Sequence, residues 1–170
     1  RDPRVVSYHR DLSVERGGTT PFEYERRNTC WGNFLEGGFD NSIFLDTCVG
    51  PIDPNGERVI FDKNKQELSR LSKTTKHAGS TIFPIDIDYN GTLDLLIADI
   101  DAFQLKLLLN DDSTGVNSHI FSVDENFPSY DIPVDILFPA VYLVDVDNDG
   151  FKDMVNASNI SNIDSAQTPL

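Results

Sequence analysis

Apolar residues in this chain come in short runs instead of at helical spacing, and the runs are rich in β-branched and aromatic side chains. Ser80-Thr81-Ile82-Phe83-Pro84-Ile85, Leu93-Asp94-Leu95-Leu96-Ile97-Ala98 and Pro139-Ala140-Val141-Tyr142-Leu143-Val144 read as strands. Ile43-Phe44-Leu45 and Phe103-Gln104-Leu105-Lys106-Leu107-Leu108-Leu109 read the same way. Gly, Pro, Asn and Asp punctuate the chain throughout, so the expected fold class is all-β. Pro51-Ile52-Asp53-Pro54-Asn55-Gly56-Glu57 is a turn signal, and the polar, basic stretch from Lys63 to His77 predicts an exposed connector with one helical turn. A polar connection is expected from Asn110 to Ser118, and Pro128, Pro133 and Pro139 mark a loop-rich approach to the last strand.

Two acidic segments interrupt these runs with one grammar. Asp86-Ile87-Asp88-Tyr89-Asn90-Gly91-Thr92-Leu93-Asp94 and Asp145-Val146-Asp147-Asn148-Asp149-Gly150-Phe151-Lys152-Asp153 both read D-x-D-x-[DN]-G-x-x-D, and they start 59 positions apart. Oxygen side chains at positions 1, 3, 5 and 9 make a wrapping loop for a hard cation. They are Asp86, Asp88, Asn90 and Asp94 in the first loop and Asp145, Asp147, Asp149 and Asp153 in the second. The backbone carbonyls of Thr92 and Phe151 are natural further donors. Calcium accepts about six to eight such oxygens in a loose geometry, magnesium demands a tighter octahedral cage, and without Cys or His the softer metals fit poorly. Gly91 and Gly150 fall where the chain turns sharply. An ion-free Asp/Asn/Gly turn has a similar composition, but two copies with one spacing favour two calcium ions.

An EF-hand needs a bidentate Glu at position 12 and flanking helices, whereas here position 12 is Ile97 or Asn156 and the flanks read as strands. Each loop is therefore expected to join the two strands of a hairpin. Phe83 and Tyr142 precede the first Asp by three positions, Ile85 and Val144 by one, which puts each pair on one strand face. Matched positions of this kind imply one unit used twice, and repeats of this length imply propeller blades. The expected organisation is 1–77 as an N-terminal partial blade and connector, 78–138 as a first calcium-binding blade, and 139–170 as the start of a second.

The formal net charge of −14 argues against nucleic-acid or anionic-membrane partners, and two dications would offset only part of it. No apolar run approaches a transmembrane length. A first residue of Arg1 without a signal-peptide pattern implies a processed chain or a portion of a larger one. Cys30 and Cys48 are the only cysteines. In an oxidising compartment a bridge between them would contribute about 3 kcal/mol by closing a short loop; the alternative is two buried thiols that never meet. Calcium loops suit extracellular calcium and favour the bridge. His9, His77 and His119 are scattered, and no nucleophile–base pattern can be drawn from spacing, so catalytic residues are not assigned. Asp99 and Asp101, after the first unit's outgoing strand, read more readily as strand-end aspartates than as catalytic carboxylates.

Asp86 to Asp94 and Asp145 to Asp153, each between short strands, resemble the calcium loops of FG-GAP/VCBS-type repeats. Those repeats build β-propellers, including the head of integrin alpha chains. His77-Ala78-Gly79-Ser80-Thr81, Asn126-Phe127-Pro128-Ser129-Tyr130, Phe138-Pro139-Ala140 and Cys30-Trp31-Gly32-Asn33-Phe34 with Cys48 are similar to large secreted VCBS-repeat proteins of Bacteroidetes. The resemblance covers roughly 28–158. It implies part of a longer propeller in a secreted or outer-membrane, cell-surface protein, commonly exported by type IX secretion. It carries the ligand roles onto the eight loop residues above, with Asn90 leaving the first site one charge poorer. The expected function is a calcium-stabilised structural or interaction module with a protein or glycan partner. The alternatives are an extracellular glycan-active enzyme on a propeller scaffold and a secretion cargo or subunit of an outer-membrane assembly.

Overall fold

A computed structural model describes residues 4–13, 15, 17–18, 23–37, 42–52, 54–55, 58–62, 64, 67–71, 80–100, 104–111, 118–129 and 140–157. Among them the fold is all-β, with no helix. In chain order the strands are β1 (Arg4–Asp11), β2 (Tyr24–Glu36), β3 (Ile43–Leu45), β4 (Thr47–Ile52), β5 (Arg58–Asp62) and β6 (Glu67–Leu71). Then come β7 (Ser80–Ile85), β8 (Asp94–Asp99), β9 (Leu105–Asn110), β10 (Ile120–Phe127), β11 (Ala140–Val144) and β12 (Asp153–Ala157). They form four antiparallel sheets, β1-β2-β3, β4-β5-β6, β7-β8-β9-β10 and the β11-β12 hairpin, each running through its strands in sequence order. The described strands do not close into a propeller.

The four-stranded sheet is the middle layer. Every residue of β8 is buried, and alternation along the strand sends its side chains to two separate cores. On one face Leu95 and Ile97 pack with Leu108 and Ile120 against Trp31 and Phe34 of β2. On the other, Leu96 and Ala98 join Leu105 and Leu107 against Val141 of β11, with Met154 of β12 at the margin. Burying a Leu or Ile side chain in this way contributes about 1.5–3 kcal/mol. Gly32 has φ +81°, and a Cβ there would lie 2.8 Å from both Ile120 and the Phe34 ring. Only glycine allows that approach, which brings β2 alongside His119 in a parallel bridge.

Cys30 of β2 and Cys48 of β4 form a disulfide with their Cα atoms 5.9 Å apart, tying the first sheet to the second. The strands expected around both acidic loops are present, displaced by a residue or so at their ends. The expected helical turn between Lys63 and His77 is corrected within the described part: Glu67–Leu71 is β6, paired with β5 from Arg58↔Leu71 to Phe61↔Glu67. Pairing to β5 decides its conformation, because local propensity there is weak; residues 72–77 lie outside the described residues. The matched flanking pairs differ in their surroundings. Phe83 and Ile85 pack against the second core, whereas Tyr142 (60% exposed) and Val144 face outward.

Candidate metal centre

Both acidic loops close β-hairpins. Ile85 pairs with Asp94 across the mouth of the first, and Val144 with Asp153 across the second. Each loop turns on two residues of positive φ: Tyr89 (58°) and Gly91 (85°) in one, Asn148 (64°) and Gly150 (94°) in the other. Asn tolerates this region and glycine occupies it at no steric cost. Tyr89 has neither advantage; the hydrogen bonds on both sides hold it there.

Four hydrogen bonds recur position for position. The amide of position 2 donates to the last carboxylate, Ile87 N to Asp94 Oδ2 at 3.0 Å and Val146 N to Asp153 Oδ2 at 2.9 Å. The glycine amide donates to the first, Gly91 N to Asp86 Oδ2 at 3.1 Å and Gly150 N to Asp145 Oδ2 at 3.0 Å. The amide of position 5 donates to the carboxylate of position 3, Asn90 N to Asp88 Oδ1 and Asp149 N to Asp147 Oδ1, both at 3.1 Å. The amide of position 7 donates to position 5, Thr92 N to Asn90 Oδ1 at 2.7 Å and Phe151 N to Asp149 Oδ1 at 2.8 Å. The side chains thus turn inward because the loop's own amides hold them.

The carboxylates converge. Asp86, Asp88 and Asp94 offer oxygens within 4.8 Å of one another, and so do Asp145, Asp147 and Asp149. Asp153 stands outside the second group and is held by its bond from Val146. Asn90 occupies position 5 with its amide oxygen already accepting from Thr92, while its Nδ2 donates to Asp88 Oδ2 at 3.1 Å. Thr92 is buried, and Phe151 is largely exposed. Three carboxylates this close repel one another unless a cation lies among them. One atom tests the fit directly. Asp86 Oδ1 is buried and has no hydrogen-bond partner, which is costly for a carboxylate oxygen unless it is left for a metal ion. A hard cation suits this all-oxygen donor set.

The two loops differ in what stands behind them. Asn110, the buried last residue of β9, braces the first from several sides. Its amide donates to Asp94 Oδ1 at 2.8 Å and its Nδ2 to Leu93 O at 3.0 Å. Its carbonyl accepts from Asn90 Nδ2 at 2.9 Å and from Thr92 Oγ1 at 2.6 Å. Its Oδ1 accepts from His119 N at 3.1 Å. His119 in turn reaches Asp111 Oδ1 at 3.1 Å and Asp46 Oδ1 at 3.2 Å, linking β10 to the β3–β4 turn. Burial by itself lowers its pKa, but the hydrogen bonds to Asp111 and Asp46, and their charges, outweigh it and raise the pKa above the ordinary histidine value.

Asn110 lies 16 residues past Asp94, and nothing local marks it; the only sequence signal is an Asn closing a run of leucines. The polar connection expected to start there begins instead with a buried residue. Asp99 is buried at the end of β8 and belongs to neither carboxylate group; Asp101 lies outside the described residues. No protein-family model matches the chain, and no curated protein or solved structure is significantly similar to it.

Proposed function

We propose that the chain is a calcium-fastened segment of an FG-GAP/VCBS-type β-propeller, serving as a structural or interaction module in a secreted or cell-surface protein. The observation that carries this reading is the duplicated loop. Two segments 59 residues apart turn three carboxylates inward through the same four backbone hydrogen bonds, and one of them leaves Asp86 Oδ1 buried without a donor. Asp86, Asp88 and Asp94 would hold one ion and Asp145, Asp147 and Asp149 the other, each ion neutralising clustered charge and pinning a hairpin. The middle sheet supports a blade: four antiparallel strands in sequence order, packed on one face by β2 and on the other by β11. The Cys30–Cys48 bridge supports an oxidising compartment. A protein or glycan at the cell surface is the partner class this reading carries.

Isothermal titration with calcium, paired with thermal melts in calcium and in excess EGTA, tests it. Two binding events are expected. Each site, with calcium at 100 times its dissociation constant, adds about 2.7 kcal/mol of stability. A melting temperature indifferent to EGTA sinks the calcium reading.

A further inference from the structure

A cavity of about 360 Å³ opens between the first sheet and the four-stranded sheet, next to the first acidic loop. Tyr8, Trp31, Ile82 and Leu95 line it from the strands, Leu93 from the loop, and Ser118 from just before β10. Its size is within the range of small-molecule sites, which are mostly apolar with a few polar groups. None of its lining residues is charged. Ser118 is 3% exposed, and its hydroxyl has no hydrogen-bond partner. A buried hydroxyl of this kind is costly unless something supplies a partner. Ile82 and Leu93 remain exposed, although both are large aliphatic residues at the same cavity. Apolar surface beside a concave site is a mark of binding.

We propose that this cavity binds a small uncharged organic molecule, apolar over most of its surface, whose single hydrogen-bonding group pairs with Ser118. A charged ligand would lose its hydration with no counter-charge to meet. A polyhydroxylated one would lay hydroxyls against the aliphatic and aromatic side chains that make up most of the lining, while the Thr92 hydroxyl and the Asn110 amide are already engaged within the fold. The inference goes beyond the cation reading and stands independently of it.

Trp31 is the chain's single tryptophan, so its emission reports occupancy directly. The probes are benzyl alcohol and its hydrocarbon counterpart toluene, each titrated in calcium and in EGTA. Both are expected to shift Trp31 emission saturably at one site. Ser118→Ala removes a hydroxyl that bonds nothing in the fold, so it leaves the melting temperature in place. It weakens benzyl alcohol by about 3- to 10-fold, the worth of one hydrogen bond, and leaves toluene unchanged. Saturation in both buffers supports the pocket even where calcium binding fails. No saturable shift with either probe in either buffer overturns the proposal, as does a Ser118→Ala variant that binds both probes as tightly as the parent.

Discussion

The two acidic loops are nearly the same object set in two different places. Their turns, their inward carboxylates and their four recurring hydrogen bonds match, yet the first is built into the molecule and the second stands at its surface. Asp94 is fully buried, while Asp153 is exposed. Asn110 grips the first loop through backbone and side chain. No residue outside the second loop's own hairpin is hydrogen-bonded to it among the described residues. The shape of the acidic loop is therefore local chemistry that nine residues carry wherever they are placed. Its rigidity is tertiary and depends on a residue supplied by another strand.

The largest separation between the loops should come from the position-9 carboxylates. Asp94→Ala strands two backbone donors, Ile87 N and the buried Asn110 N. At about 1–3 kcal/mol for each stranded donor, less the carboxylate repulsion relieved when no ion is bound, the expected loss is about 3 kcal/mol. Asp153→Ala frees only the exposed amide of Val146, and the expected loss is about 1 kcal/mol. Urea midpoints measured in EGTA, so that no ion contributes, decide the matter; equal losses would break the distinction.

Asn110→Ala should cost about 2 kcal/mol by removing the side-chain bonds to Leu93 and His119. Its more telling effect is on hydrogen exchange. Amides of Ile87 to Leu93 should lose part of their protection, since the backbone bonds of residue 110 to Asp94, Asn90 and Thr92 survive the substitution, while Val146 to Lys152 keep their rates. Unaltered protection in the first loop would show that Asn110 is no brace.

Gly91→Ala and Gly150→Ala provide the control. Both glycines have positive φ and open space where a Cβ would stand. The cost is backbone strain alone, about 1 kcal/mol in each loop. A clear difference between them would mean that the loops are not equivalent even locally.

The smallest effect is the pH dependence that only the first loop's surroundings carry. His119 has a raised pKa in the folded state, so folding favours its protonated form. The stabilisation is fully present below the ordinary value of 6.5 and is lost as pH rises through the higher folded-state value. Because the side chain is 40% exposed, solvent screens the effect to a modest size. Urea midpoints should fall slightly from about pH 6 to about pH 8, and His119→Gln should flatten that part of the profile.

The elements legible in the sequence were those whose signal is local. Ser80–Ile85, the leucine-rich outgoing strand and Ala140–Val144 announce themselves by composition, and the loops by spacing. The inward turn of Asp86 and Asp145 was legible for the same reason, since the amides that hold them lie within the loop. Elements fixed by partners were not. β6 carries a sequence that would suit a helical turn and becomes a strand because β5 is beside it. The thirteen-residue β2 has no strand signal in the sequence, since its polar first half has no apolar rhythm and Gly32 and Asn33 interrupt the second. Asn110 carries no such signal, because its role depends on β9 ending next to the first loop, a matter of register that no local pattern encodes. Asp153 accepts from Val146 as Asp94 does from Ile87, and that local bond too lies within the loop.

One consequence follows from the burial of β8 on both faces. The two cores are not independent reserves, since neighbouring side chains on a single strand, Leu95 and Leu96, belong to different ones. A disturbance that shifts this strand reaches both cores at once, so neither can melt while the other remains. The described sheets flanking it should therefore lose their structure in one cooperative event, and calcium bound at the start of β8 would hold that event back from a single point.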